Sequence, residues 1–484
     1  MKPHYDRIRK VKTASGSTAI QVGYYQGKSF KLKKHIGSSK ETKKISELIN
    51  IGQKYIRSQS LQIELNFNPQ SDEILFKRGI KAKDSRLDTA FKYLEEIYSK
   101  VGFNRISSEI LKHFVMIRVL EPASKIKSIL LLEKYFGISY KKTTVFRLLS
   151  SLVNLKEQVQ QIAIKYAKDN LHFDFSLVFY DVTTLYFETH TSDDFRKNGF
   201  SKDNKLNQPQ ILVGLVVNGV GFPIYYDIFK GNTFEGKTII PVITTIKEKY
   251  QIKKFTVVAD AGMLSKDNLS ELEKHGIDYV VGARIGNTKL DEVKDIAGQL
   301  NQIDKKIIKK NNIIYEYSIK RAKKDQRDND KQIEKAEYYL KNPSKVMKRS
   351  KFLSNDKLKS FTLNNSLVEK NRLLEGIKGY KTNIHNLDNR LLIARYKDLW
   401  RVEQSFRIAK SDLEARPIYH RRKNSIEYHI LIVFTALCMA RVIEMEKGES
   451  IKKVTDDLKD RWTITLIDEI SGNSLKIELN NKPH

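Results

Sequence analysis

One cysteine, Cys438, is all that 484 residues supply, so no disulfide can form within the chain and a reducing compartment is expected. Cys438 lies in the apolar run ILIVFTALCMA, the setting of a buried and inert thiol. Cys/His clusters at zinc-ligand spacing are missing too, which excludes the usual structural zinc sites. Long apolar runs are also absent. The longest, about eleven residues from Ile430, is short of the ~18 needed to span a bilayer. The opening MKPHYDRIRKVKTASG holds no apolar stretch that could serve as a signal sequence. The expectation is a cytoplasmic chain with no membrane partner. No internal repeat is visible.

Acid is scarce relative to base. Lys and Arg number 88 against 57 Asp and Glu, a formal charge of +31, too large and too spread out for a single tail. Such a field concentrates polyanions, nucleic acid first and anionic membrane second. With 40% hydrophobic and 10% aromatic residues, the chain reads as folded, and its length suits two to four structural units.

Residues 1–100 look like an appended module. STAIQVGYYQGKSFKLKKHIG alternates about a Gln26-Gly27 turn, the pattern of a β-hairpin, and a lysine-rich helical stretch follows. Residues 101–172 take on a helical period. Gly137 is placed to stop one helix and YKKTTVFRLL to start the next. Lys141, Lys142 and Arg147 near that start suit a helix-turn-helix DNA reader, although an ordinary helical bundle gives the same pattern.

From 173 to 300 the character is α/β. FSLVFYDVT is a strand buried on both faces, QILVGLVVN and GFPIYYDIF form a hairpin, and helices alternate with KFTVVAD and DYVVGAR. The order β-β-β-α-β-α-β-α, three strands before the alternation begins, is that of a ribonuclease H-like mixed sheet and not of a plain Rossmann unit. Residues 301–378 read as an insertion, including a charge-dense solvated helix. The core resumes over 379–445, and 446–484 form a polar appendage.

Three carboxylates stand out by position. Asp181, in FYDVTTLYFET, and Asp260, in TVVADAG, end strands that lie side by side in this order, which brings both to one sheet edge. Asp260 could merely cap the following helix. A third acid converging on the pair favours a divalent ion, and Glu403 is the candidate. Leu399, Val402, Phe406, Ala409 and Leu413 form one apolar helix stripe, and Tyr396, Glu403 and Lys410 a second beside it at ~100° per residue. Glu403 could also be an ordinary solvated glutamate. Trp400, Arg401 and Arg407 crowd the same turns. An oxygen-only donor set open to solvent suits two Mg²⁺ or Mn²⁺ ions and in-line phosphoryl transfer. Glu188 and Asp227 read as flanking acids, and Glu414 and Glu427 as weaker choices for the third carboxylate.

In these motifs the sequence resembles the bacterial insertion-sequence DDE transposases with the YREK signature, the IS-four-like group. The signature falls on Tyr396, Leu399, Glu403 and Lys410; Leu399 departs from the usual Arg, and Arg401 lies near it on another side of the helix. YDVTTLYFE matches the family's first Asp and VADAG its second, and GNTFEGKT and RPIYHR also look like family sequence. The resemblance covers roughly 173–442. It implies catalytic and metal-binding roles for Asp181, Asp260 and Glu403. Tyr396, Trp400, Arg401, Arg407, Lys410, Arg416, His420 and Arg421 would contact DNA, with Trp400 stacking on a flipped base. Cleavage of terminal inverted repeats in double-stranded DNA, strand transfer to target DNA by cut-and-paste, and a homodimer on DNA are the implied activity. The alternatives are a ribonuclease H-like nuclease without strand transfer, a catalytically silent DNA-binding copy, and an RNA-associated protein.

Overall fold

The structure is a computed structural model that describes residues 7–26, 29–59, 80–199, 207–263, 265–343, 350–355, 361–468 and 474–480. It divides into two compact units, Met1–Lys81 with Ile467–Ser474, and Ala82–Leu466 with Leu475–His484.

In the first unit, β1 (Arg7–Lys12), β2 (Thr18–Gln26) and β3 (Ser29–Ser39) form an antiparallel sheet in that order, followed by α1 (Thr42–Gln59). The expected hairpin is β2–β3; Gly27 of its turn lies outside the described residues. Ala19, Ile20 and Val22 of β2 are buried, and the pairing register shifts between Ile20 and Gln21. Gly52 lets α1 approach, since a Cβ there would come within 3.2 Å of Ile8.

The second unit starts within β4 (Ile80–Arg86). The helices α2 (Asp88–Val101), α3 (Glu109–Leu120), α4 (Lys125–Phe136), α5 (Lys142–Ser151) and α6 (Lys156–Leu171) follow. The appended module thus ends near residue 81 and not near 100. α2 needs cover for Ala90, Leu94, Ile97 and Val101, and it buries them in the core of the second unit. Gly137, left-handed at φ 68°, caps α4 by donating to Glu133 and Leu132 carbonyls, which is the expected stop. α3 is buried over ten of its twelve residues, so this region is first a core bundle. α5 keeps Lys142 and Arg147 exposed.

The sheet of this unit begins with β5 (Val178–Tyr186), β6 (Gln210–Asn218) and β7 (Pro223–Lys230). It continues through α7 (Ile239–Lys249), β8 (Thr256–Ala259), α8 (Lys266–Lys274), β9 (Asp278–Ala283) and α9 (Leu290–Leu300). The insertion adds β10 (Ile307–Lys310), β11 (Ile313–Tyr317), α10 (Ile319–Lys341), β12 (Leu353–Asn355), β13 (Phe361–Leu363) and α11 (Asn365–Leu373), and the chain returns through β14 (Ile377–Thr382). One eight-stranded mixed sheet results, ordered β10-β11-β14-β9-β8-β5-β6-β7. The β5–β8 and β8–β9 pairs are parallel, and all others antiparallel. The insertion is therefore not wholly external: β10 and β11 pair onward from β14 and widen the sheet. α10 is the expected charged helix, burying only Asn329 and Ala336 among its residues. β6 is buried along its whole length, as a strand covered on both faces must be. There Gly214 makes room for Tyr180, whose hydroxyl would lie 2.5 Å from a Cβ.

After the sheet come α12 (Asn389–Lys397), α13 (Trp400–Arg407), a π-helical turn over Ile408–Asp412, and α14 (Lys423–Lys447). α14 is far longer than its eleven-residue apolar run suggested, because His429, Thr435 and Arg441 are buried along with the apolar residues. Its length and mean hydropathy of 1.8 suffice to cross a membrane, but 94% of that window is buried inside the fold, the condition of a core helix. The C-terminal appendage forms α15 (Ile451–Lys459), β15 (Arg461–Asp468) and β16 (Ser474–Asn480), in a sheet ordered β16-β15-β4.

Candidate active site

β5 and β8 pair in parallel with Val178 beside Val257 and Phe179 beside Val258. Carrying that register forward two residues sets Asp181 beside Asp260, on the same face as the paired Phe179 and Val258. Asp181 is not the end of its strand, since β5 runs on to Tyr186 against β6. It is the point where the neighbouring β8 stops and leaves the edge open. Asp260 is exposed and Asp181 half-buried.

Glu403 comes from α13, which packs on β5 and β6. Val402 and Phe406 hold that helix in the core, and the Ser405 hydroxyl donates to the Gly221 carbonyl at 3.0 Å in the β6–β7 turn. With its buried side fixed, the helix leaves Glu403 exposed. Leu399, Ala409 and Leu413 are buried as the stripe required. The second stripe differs from expectation. Helical hydrogen bonding breaks between α12 and α13, and Leu413 N donates to Ile408 O across the π turn, so Tyr396, Glu403 and Lys410 do not follow one straight helix.

Tyr396 joins the acids. Expected to grip DNA phosphates, it is only 6% exposed, and its hydroxyl donates to Asp260 Oδ1 at 3.2 Å. Burial foremost, then the charge of Asp260, its hydrogen bond and the charge of Glu403, push the phenol upward, so it stays a donor. Gly282 makes the approach possible: a Cβ there would lie 2.8 Å from the Tyr396 hydroxyl. Tyr380 packs edge-on to Tyr396, with centroids 5.0 Å apart.

Several basic groups surround this edge that the sequence did not single out. Lys378 Nζ lies 4.5 Å from the Tyr396 ring centroid, and burial lowers its pKa, with Arg321 adding to the effect. Arg284 donates to the carbonyls of Ala261 and Gly262, both at 3.1 Å, and so fixes the turn after Asp260. Lys320, Lys324, Arg327 and Lys331 line an open groove with Arg321 at the start of α10. Only the strand ends and the charge density of the insertion hinted at these roles.

The expected DNA contacts divide by exposure. Trp400 is 49% exposed, with Arg401 Cζ 5.0 Å above its ring and Arg401 Nε 3.5 Å from Asp398. Arg407 and Arg421 are exposed. Lys410, on the π turn, borders a small apolar cavity with Thr183 and Phe406. Arg416 lies over the Tyr186 ring at 5.7 Å. His420 is partly buried beside His429, with ring centroids 5.3 Å apart.

Among the acids set aside, Asp227 pairs with Lys156 at 2.6 Å and Glu188 accepts from Gln208 at 3.3 Å. Glu414 is exposed beyond the π turn, and Glu427 is half-buried on α14. Among the described residues no three His, Cys, Asp or Glu side chains stand at metal-holding spacing. The charge of Glu403 reaches Tyr396, and extending the β5–β8 register brings the two aspartates side by side. Their all-oxygen donor set on an open edge fits a hard divalent ion, which takes one or two carboxylates and completes its shell from water and phosphate.

Residues 172–439, just over half of the chain, match the family model described as Transposase DDE domain. That span contains Asp181, Asp260 and Glu403. No curated protein matches. Among solved structures the chain is similar to a piggyBac transposase in a cryo-EM synaptic complex with hairpin DNA, at 12% identity over 78% of this chain and 79% of that one, with a TM-score of 0.37.

Proposed function

This chain belongs to the Transposase DDE domain family, and from that premise we propose that it binds the ends of a bacterial insertion sequence and performs metal-dependent cleavage and strand transfer by cut-and-paste. The reading places it in the YREK-signature, IS-four-like group, with a ribonuclease H-like core. The strand order β7-β6-β5-β8-β9 with two parallel pairs supports that core. The single observation that supports the site is the β5–β8 register, which pairs Phe179 with Val258 and, carried on two residues, would bring Asp181 next to Asp260, with Tyr396 in the field of both Asp260 and Glu403.

Asp181, Asp260 and Glu403 would hold two Mg²⁺ or Mn²⁺ ions. When bound, such ions activate the attacking oxygen and stabilise the leaving oxygen of an in-line displacement. The protein's own part is positional. Tyr396 fixes the Asp260 carboxylate by donating to it, and Arg284 holds the turn that carries it. Trp400, half exposed and three residues before Glu403, offers a face for an unpaired base. Arg401, Arg407, Lys410, Arg416, His420 and Arg421 would contact the backbone, and Lys142 and Arg147 on α5 a further stretch of duplex. Two transposon ends must be held together, so a homodimer on DNA is the working unit.

The test uses DNA bearing the element's flanking inverted repeats, with purified protein and Mg²⁺. Wild type should cut at the repeat ends and join them to target DNA, whereas Asp181→Ala and Glu403→Gln should bind and not cut. Cutting by both variants would sink the site assignment. Cutting without joining would favour a nuclease, and binding without cutting a silent copy.

A further inference from the structure

Lys125 and His429 stand 304 residues apart in sequence and meet at a cavity of about 360 Å³. Its lining is unusually basic. Arg118 comes from α3, Lys125 from the first turn of α4, Arg416 and His420 from the segment beyond the π turn, and His429 from α14. Among the described residues only one carboxylate, the exposed Glu414, shares the lining.

Arg118 and Lys125 are each 4% exposed. Neither has a carboxylate within ion-pair distance among the described residues. Arg118 donates to the Ala123 and Leu413 carbonyls at 2.7 and 3.4 Å. Lys125 Nζ sits 3.3 Å from His429 Nδ1, and His429 Nε2 faces the Ala415 carbonyl at 3.1 Å. A carbonyl only accepts, so Nε2 carries the proton and Nδ1 accepts from Lys125 Nζ. A neutral amine and an ammonium can both make that donation, and burial, with Arg118 adding to it, pushes the Lys125 pKa well down.

Keeping Lys125 charged beside Arg118 without a counter-ion costs mutual repulsion and lost hydration. α4 begins at this cavity behind its Ser124 cap, and its N-terminal peptide dipoles add potential of the same sign. An anion entering from the solvent side offsets all of these costs together. Guanidinium forks, an ammonium and imidazoles around one open volume match a phosphoryl group with several acceptor oxygens.

We propose that this cavity is a phosphate-binding site, built by Arg118, Lys125, Arg416, His420 and His429. Its occupant is either a backbone phosphate of DNA or free phosphate ion. Only the first choice rests on the proposed function. Because Arg118 also holds the Leu413 carbonyl, the occupant would fix the segment that leaves the Glu403 helix.

Thermal unfolding of the full chain in chloride and in rising inorganic phosphate, at constant ionic strength, tests the proposal. Phosphate should raise the wild-type midpoint saturably. Lys125→Met should melt above wild type without phosphate, because a desolvated amine beside Arg118 is removed, and lose at least ten-fold in phosphate affinity. If phosphate leaves wild type unchanged, or shifts both proteins alike, the proposal is overturned. Should Lys125→Met fail to fold, Arg416→Gln, reaching the cavity from a partly exposed position, carries the same comparison. Duplex DNA then separates the two sources. A salt slope of binding lower by ~0.9 in the variant assigns a DNA phosphate, and an unchanged slope with a lost phosphate response assigns the free ion. Glu403→Gln should keep the full phosphate response, so a failed cleavage reading and a failed cavity reading remain distinct.

Discussion

Replacing Asp260 by Asn should stabilise the metal-free protein while abolishing its response to metal. The β5–β8 register pairs Phe179 with Val258 and, carried on two residues, brings Asp181 beside Asp260 on strands ~4.8 Å apart; carboxylates that splay from neighbouring strands lie ~6 Å apart. Coulomb repulsion at that distance is ~0.7 kcal/mol in water and ~3 kcal/mol at an effective dielectric of ~20. Asp260 is exposed, so solvent and salt screening place the gain near the lower figure, about 1 kcal/mol. Asn keeps an acceptor for the Tyr396 hydroxyl now 3.2 Å from Asp260 Oδ1, so little else is lost. A gain of about 1 kcal/mol is a rise of roughly 1–3 °C in a domain of this size. Thermal unfolding in EDTA, repeated with millimolar Mg²⁺ or Mn²⁺, is the assay. Wild type should gain with metal and overtake the variant, which should not respond. A variant that melts below wild type in EDTA, or that responds to metal equally, would refute the reasoning that these two carboxylates crowd one site.

Other outcomes follow from single contacts. Tyr396→Phe removes one hydrogen bond to a carboxylate, about 1.5 kcal/mol, so DNA-end cleavage should slow roughly ten-fold with binding retained, as single-turnover kinetics would show. Gly214→Ala drives a Cβ to 2.5 Å from the Tyr180 hydroxyl on a fully buried strand, and denaturant unfolding should register a loss of about 1–3 kcal/mol. Trp400→Ala should change stability little, since the ring is half exposed, yet weaken binding of frayed DNA ends by about 1–3 kcal/mol in fluorescence anisotropy. Burial, followed by Lys125 and Arg118, pushes His420 down to about 4. The unfolded chain therefore binds the extra proton between its own pKa of ~6.5 and about 4, and stability should fall as pH drops through that window. In phosphate-free buffer His420→Gln should flatten this slope, and an unchanged slope would count against it.

By itself the sequence determined the periodic parts of this protein. Short apolar runs bounded by turn signals, such as QILVGLVVN, become strands buried on both faces, because a sheet covered on two sides removes every residue of the run from water. The longer run from Ile430 is buried as a core helix. The hairpin, the Gly137 stop and the charged α10 were equally legible, since turn chemistry and solvation act within a few residues. The two aspartates could be picked out because each follows a run of apolar residues. Tertiary structure alone decided what depends on distant segments meeting. Nothing local reveals that β10 and β11 extend the main sheet, that Tyr396 turns inward onto Asp260 through the space left by Gly282, or that the helix stripe is interrupted by a π turn. Nor does any local pattern bring Arg118 and Lys125 to His429, because neighbours along the chain fix periodicity whereas packing of remote elements fixes burial, and burial decides which charges must find a partner.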